Sequence, residues 1–240
     1  MKKYALVCGA SGEIGTAICQ HLAQQGWSLY VHYASKPTTE LVGKLSAAFP
    51  QQEFFSVQAD FTCPEAASRL AKQIFTLQAI VFANGHASYG LLEDIAATDM
   101  QTLWQVHMQT PMLILQQLAA KLRTHSVSYV IFIGSIWGAA GAAGEVVYSA
   151  VKGAQHSFVK AYAQEVAYNG IRVNALAPGF IATKMNSHID ELERKQIISE
   201  IPLQQLGTVE DVARLCAFYV SGQADYVTGQ IIHLNGGWYI

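Results

Sequence analysis

The chain has 240 residues, 51% of them hydrophobic and only 13% charged, about half the ~25% charge usual for soluble domains. High apolar content with a net charge of −2 excludes disorder, and the lack of a basic block excludes an electrostatic footprint for nucleic acid. A mean hydropathy of +0.21 raises the question of a membrane span, but the longest charge-free helical stretch, 100–120, carries five Gln, a His and a Pro, which argues against one.

The N-terminal apolar run is broken at Gly9 and lacks a cleavage site, so it reads as a buried first strand over 4–8 rather than a secretion signal. It runs into Gly9-Ala10-Ser11-Gly12-Glu13-Ile14-Gly15, and a helix over 13–25 follows, stopped by Gly26. Glycines at 9, 12 and 15 let the backbone turn tightly and approach a pyrophosphate. The helix N-terminus then offers free N–H groups and the positive end of its dipole. A second strand, 28–33, ends in Tyr33-Ala34-Ser35-Lys36. An acid there would bind the ribose 2′-OH of NAD, whereas a hydroxyl and a cation tolerate a 2′-phosphate. The expected cofactor is therefore NADP in preference to NAD. Lys36 also suits a solvated loop.

A helix over 39–48, a strand over 54–59, a helix over 65–75 and a strand over 79–82 come next. A long helix is predicted over 99–121. The strand over 129–133 closes on Gly134-Ser135, at the sheet edge where ligands of such folds bind. A helix over 148–168 opens with Tyr148 and Lys152, four apart and so one turn apart on one face. A nearby ammonium lowers a phenol's pKa, and such a pair can give a proton to a carbonyl oxygen or take one from an alcohol. The Ser135 hydroxyl could hold that oxygen. Taken singly, Tyr-x-x-x-Lys also suits an ordinary helix surface, and Ser135 a turn cap. A strand over 172–176, a helix over 209–220 and a strand over 231–234 complete the pattern. Short apolar strands alternating with helices predict an α/β fold, a parallel sheet covered by helices on both faces. No linker or repeat interrupts it, so 1–240 is expected to be a single domain.

Together these segments resemble the short-chain dehydrogenase/reductase family, in the single-domain branch that includes 3-oxoacyl-carrier-protein reductases. The resemblance spans nearly the whole chain, from the glycine turn to Tyr226-Val227-Thr228-Gly229-Gln230 and Asn235-Gly236-Gly237. It implies a Rossmann-like, doubly wound sheet of about seven strands with the substrate site at its C-terminal edge. It implies that hydride passes between nicotinamide and a carbonyl carbon. Ser135 would polarise the carbonyl, Tyr148 supply the proton, and Lys152 also bind the nicotinamide ribose. The turn 9–15, with Ser11, Gly12, Glu13 and Ile14, would face the pyrophosphate, and Ser35 and Lys36 the 2′-phosphate. Asp60 and Phe61 would flank the adenine. Ala83, Asn84 and Gly85 would approach the adenosine ribose. Pro178, Gly179, Ile181 and Thr183 fall in the segment that wraps the nicotinamide. The implied substrate is a small carbonyl compound: overall resemblance suggests a 3-oxoacyl thioester on a carrier protein, with a small ketone, sugar or steroid-like carbonyl as the alternatives, and the implied compartment is the cytoplasm.

Three positions depart from the family pattern. Glycine sits at Gly12 and a glutamate, Glu13, follows where the family has its middle glycine. Gly-x-x-Gly-x-x-Gly is also the spacing of the larger nucleotide-sugar epimerases, but only roughly 60 residues follow Gly179, too few for their substrate lobe. After the fourth strand, Phe82-Ala83-Asn84-Gly85 stands where the family has Asn-Asn-Ala-Gly. His107 occupies the place of the family's fourth catalytic residue, an asparagine whose main-chain carbonyl holds a relay water. Pro111, four residues on, has no N–H to donate, so the expectation is a free carbonyl at His107 and a relay kept through its backbone. The bland alternative is a kinked helix and a packed histidine. Glu13 and His107 motivate a second reading, a cofactor-binding regulator with weak or no catalysis.

Trp137, Phe180 and Met185 fall in segments bordering the implied substrate cleft, and Glu145 is expected nearby. Carrier-protein recognition finds partial support in Lys121 and Arg123, whereas Tyr168-Asn169-Gly170 has no arginine. The four cysteines, Cys8, Cys19, Cys63 and Cys216, lack CxxC spacing and read as reduced, buried thiols. The other histidines, at 21, 32, 86, 125, 156, 188 and 233, share no ligand spacing, so no metal is expected. Stretch 100–120 carries no charge, and 124–182 only five. Two helices, 99–121 and 148–168, thus lack a charged solvent face. The resemblance implies that these pair across a two-fold axis in a homotetramer.

Overall fold

The computed structural model describes residues 2–184 and 189–239; Met185 and His188 lie outside them. Seven strands form one all-parallel sheet in the order β3-β2-β1-β4-β5-β6-β7. They are β1 Lys3–Cys8, β2 Trp27–Tyr33, β3 Phe54–Gln58, β4 Ala79–Phe82, β5 Ser128–Ile133, β6 Ile171–Pro178 and β7 Ile231–Leu234. The central strands are mostly apolar because helices cover both faces; Val7, Ile80, Val81, Val130, Ile131 and Val173 are fully buried.

Against one face pack α1 (Glu13–Gln24), α2 (Thr39–Ala48) and α9 (Val209–Tyr219), through Ile18, Leu22, Leu45, Val212 and Cys216. Against the other pack α3 (Ala66–Ala71), α5 (Thr110–Leu122) and α7 (Val146–Val166), through Leu70, Ile114, Leu118, Val159 and Val166. This is a doubly wound Rossmann-like α/β domain. Its strand order reverses between β1 and β4, where Cys8 pairs with Phe82. The turns leaving those two strands therefore diverge from adjacent points and open a crevice at the carboxyl edge.

Strand ends differ from expectation by a residue or two; helices differ more. The helix expected over 99–121 is three pieces: α4 (Ala97–Trp104), a π-helical turn (Gln105–Gln109) and α5. Thr110 N–H reaches back to the Gln105 carbonyl, five residues away. Pro111 at the start of α5 has no N–H for the normal ladder, which accounts for the widened turn. The helix expected over 65–75 ends at Ala71, and α7 begins two residues earlier than expected. Two helices went unforeseen: α6 (Trp137–Ala140), a single turn after β5, and α8 (Glu191–Glu200), almost wholly exposed. Its lack of an apolar stripe is why periodicity misses it. Cys8, Cys19 and Cys216 are buried free thiols, and Cys63 is half-buried. Among the described residues no helix is long and apolar enough to cross a membrane, and no cluster could hold a metal ion.

Candidate active site

The end of the crevice beside β1 is made of backbone. Gly9 turns the chain out of β1 at φ +76°, and a Cβ there would lie 2.7 Å from the Ala83 carbonyl oxygen. A Cβ on Gly15 would lie 2.3 Å from the Gly9 carbonyl oxygen, so α1 starts in backbone contact with the turn. Gly12, where a Cβ would make only ordinary contact with the Gly9 carbonyl oxygen at 3.4 Å, is the N-cap of α1, with no side chain capping the helix. Uncapped N–H groups and the dipole's positive end thus point into a cleft of about 470 Å³. Gly9, Ser11, Gly12, Glu13, Ile14 and Gly15 line it on one side, and Asp60, Phe61, Ala83, Asn84 and Gly85 on the other.

Sequence reasoning missed the residue that pins this turn. Buried His32, on β2, accepts the Gly9 N–H on Nδ1 at 3.0 Å and donates from Nε2 to the Ala59 carbonyl at 2.9 Å. Burial pushes its pKa down to about 4, so the neutral ring ties the ends of three strands together. The signal was available: a histidine inside a buried, mostly apolar strand needs buried partners.

Asp60 stands at the rim, its Oδ1 accepting the Thr62 N–H at 3.0 Å and hydroxyl at 2.8 Å. Phe61 stacks on His32 at 4.5 Å between ring centroids. Ser35 and Lys36 are exposed just past Ala34, which lines the cleft; they do not line it themselves. Glu13 does not aim at the helix N-terminus. Its carboxylate accepts the Lys184 N–H at 2.6 Å, beyond Ile181 and Thr183, and so ties the post-β6 segment to α1.

A second cleft, of about 680 Å³, continues from the first. Ile14, Ala83, Asn84, Gly85, His86 and Thr183 line both. Ser135, Tyr148 and Lys152 come together on its floor, with Pro178, Gly179 and Ile181 opposite. The end of β5 sets Ser135, and the first turns of α7 set Tyr148 and Lys152. Gly138 lets α6 lie against α7: a Cβ there would be 2.8 Å from the Lys152 carbonyl oxygen. Ser135 hydrogen-bonds the Tyr148 phenol, and its Oγ accepts the Trp137 N–H at 3.2 Å.

The electrostatics reverse one expectation. Lys152 Nζ is buried and donates to the Ile133 carbonyl at 2.9 Å, 5.6 Å from the centre of the Tyr148 ring. Burial lowers its pKa to about 7. Tyr148 was expected to be pulled down by this ammonium. Instead burial pushes the phenol up, the Glu145 carboxylate pushes the same way, and only the Ser135 hydrogen bond opposes. A lysine whose charge burial disfavours is a weaker partner for a phenolate.

The expected free carbonyl at His107 is also corrected. Pro111 cannot donate to it, but the buried Gln155 side chain does, at 2.8 Å. The His107 ring is buried beside Tyr148, 5.8 Å between centroids, with Nε2 3.0 Å from the His86 carbonyl oxygen. It packs on Gly85, where a Cβ would come within 2.1 Å of Cε1. Desolvation first, then the Lys152 charge, hold it well below the usual histidine range. His107 is thus a neutral, packed ring at the cleft floor. Buried Asn84 Oδ1 and His107 Nδ1 have no protein partner, which marks this floor as a place for a polar ligand.

The fold and these groups define a nucleotide-dependent oxidoreductase, and comparison with known proteins agrees. The family model described as Enoyl-(Acyl carrier protein) reductase matches residues 9–239. The chain belongs to the short-chain dehydrogenase/reductase family. It is 39% identical over 242 residues to the uncharacterized oxidoreductase YmfI of Bacillus subtilis, covering all of both chains. It is 32% identical over 245 residues to the 3-oxoacyl-(acyl-carrier-protein) reductase FabG of Staphylococcus epidermidis, again over all of both. Among solved structures it resembles a blue fluorescent protein from a metagenomic library in complex with NADPH. The TM-score is 0.91 and identity 26%, covering 99% of this chain and 98% of that one.

Proposed function

We propose that the protein is an NADPH-dependent carbonyl reductase, with a 3-oxoacyl thioester as its substrate. The observation that carries this is the meeting of Ser135, Tyr148 and Lys152 in a cleft continuous with the uncapped N-terminus of α1. The residues fit a dinucleotide: the glycine turn is a cradle that a Cβ on Gly9 or Gly15 would fill, and Asn84 Oδ1 is an orphan at its far end. Gly9, Ser11, Gly12 and Ile14 would hold the pyrophosphate, with Asp60 and Phe61 at the adenine. Ala83, Asn84 and Gly85 would meet the adenosine ribose. Tyr148 and Lys152 would hold the nicotinamide ribose, and Pro178, Gly179, Ile181 and Thr183 would wrap the ring. NADP rather than NAD is supported by Ser35 and Lys36 where an acid would repel a 2′-phosphate. The NADPH complex of the similar blue fluorescent protein supports it too.

A bound reduced nicotinamide supplies a hydride to the carbonyl carbon. The protein's part is placement and a proton. Ser135 donates to the carbonyl oxygen and fixes it beside Tyr148 Oη. The raised phenol stays protonated through the neutral range, so Tyr148 is ready as the acid. Lys152 Nζ, near half-protonation at neutral pH, returns a proton to Oη. His107 packs against the tyrosine and takes no proton itself.

The thioester is supported by full-length similarity to 3-oxoacyl-(acyl-carrier-protein) reductases. Lys121 and Arg123, at the end of α5 beside the start of β5, line neither cleft and add nothing to it. The charge-poor helices α4, α5 and α7 support a homotetramer paired through them, and a cytoplasmic location follows the same relatives. The regulator reading rested partly on Glu13; its carboxylate is engaged by Lys184 and leaves the helix N-terminus open. NADPH oxidation should be followed with acetoacetyl, crotonyl and simple ketone substrates, and repeated with NADH. Turnover of acetoacetyl thioester with NADPH favoured over NADH is expected. Reduction of crotonyl thioester alone, or no turnover at all, contradicts the reading.

A further inference from the structure

Beyond Ser135 the cleft wall changes character. Trp137, two residues on, meets Trp238 with ring centroids 5.5 Å apart and Tyr239 at 5.3 Å, both near edge-on. Trp238 and Tyr239 lie 4.9 Å apart. All three line the cleft that holds Ser135 and Tyr148. The back of this wall is fixed: buried Trp238 packs with Ile136 and Ile201, and Phe180, Ile197 and Leu206 lie against them. Its front is open, since Tyr239 is 48% exposed.

The chain holds this arrangement at a cost. Tyr239 sits at φ +56°, a left-handed conformation unusual for tyrosine. Gly236 and Gly237, also left-handed, turn the tail back, and the Asn235 side-chain amide donates to the carbonyls of Trp238 and Tyr239. A strained, side-chain-tied tail that only delivers two rings to a cleft points to those rings as its purpose.

Charge narrows the choice of ligand. Glu145 and Glu193 line the same cleft. Lys152 is the only lysine or arginine among its described lining residues, and it is turned to Ile133. Among the described lining residues an anionic group on the substrate would therefore meet two carboxylates and no lysine or arginine besides Lys152. The rings pack edge-on or tilted on one another, at 4.9–5.5 Å, and so make one continuous apolar wall rather than a box enclosing a cation on several faces. They form a wall for a flat apolar group to lie on.

We infer that Trp137, Trp238 and Tyr239 form a subsite for an uncharged aromatic or flat ring carried next to the reacting carbonyl, as in an aryl 3-oxoacyl compound. This rests on the carbonyl-reductase reading and adds the class of substituent. The test compares ethyl benzoylacetate with ethyl acetoacetate, and methyl benzoylformate with benzoylformate, by kcat/KM with NADPH. The aryl ester is expected to lead its methyl counterpart by about tenfold, through ring contact and burial together. The free carboxylate should trail its methyl ester. In Tyr239→Leu and Trp137→Leu the aryl-to-methyl ratio should fall towards one. A ratio near one in the wild type, or a parallel loss on both substrates in both variants, overturns the subsite. If no ketone is turned over, the reductase reading fails on its own. Calorimetric titration of the NADP complex with 1-phenylethanol and with 2-butanol then decides the subsite. Tighter binding of the aryl alcohol, lost in Tyr239→Leu, supports it, and equal binding overturns it.

Discussion

At the nucleotide end of the cleft the wall is backbone: Gly9, Gly12 and Gly15, the first N–H groups of α1, and the turn after β4. At the substrate end it is side chains: Trp137 from α6, Phe180 from the segment after β6, Trp238 and Tyr239 from the tail. The first end tolerates only glycine at positions 9 and 15, because a Cβ at either strikes main chain. The second tolerates many, because rings fill space and neighbours can shift. A rigid backbone cradle suits a ligand that never changes. A wall of replaceable side chains suits one that differs between relatives.

That contrast can be broken at either end. Gly15→Ala should have the largest effect on the fold. Its Cβ would stand 2.3 Å from the Gly9 carbonyl oxygen, so α1 or the turn must move. We expect a loss of about 2 kcal/mol or more in thermal or urea unfolding, with NADPH binding by fluorescence abolished. Unchanged binding would mean the cradle is softer than its geometry.

His32→Leu should act more narrowly. The Gly9 N–H loses its acceptor while the strand keeps an apolar side chain. KM for NADPH is expected to rise about tenfold with kcat nearly kept, as for loss of one buried hydrogen bond. The same variant has a pH signature. His32 is 6.5 when unfolded and about 4 when folded, so the unfolded state binds the extra proton between those values. Its contribution is complete above pH 6.5 and is lost as pH falls towards 4, about 3 kcal/mol in all. His32→Leu should flatten that part of the acid unfolding curve. A curve of unchanged steepness would count against the buried, neutral assignment.

The same contrast explains what was legible beforehand. The seven strands and their parallel sheet were readable because strands buried on both faces, as at the centre of this sheet, are largely apolar runs. The nucleotide turn was readable because only glycine satisfies it. Ser135, Tyr148 and Lys152 were readable as a group because β5 and α7 are regular elements that fix their spacing. What was not readable depends on partners distant in sequence. Gln155 reaches His107 across 48 positions, and His32 ties Gly9 to Ala59. The aromatic wall joins residue 137 to residues 238 and 239. Lys152 illustrates the limit most directly: its position follows from helix spacing, but its lowered pKa follows from burial that only the folded chain creates.

The central claim is that Tyr148 gives the proton in a cleft whose nucleotide end works independently. The direct measurement is NADPH oxidation by Tyr148→Phe beside NADPH binding to the same variant. The account predicts a fall in kcat of about a thousandfold, within the range for loss of a general acid. NADPH affinity should stay within about twofold, because the removed hydroxyl is one contact among many. Retained turnover would contradict the assignment of the proton to Tyr148. Loss of NADPH binding in step with turnover would contradict the separation of the two ends.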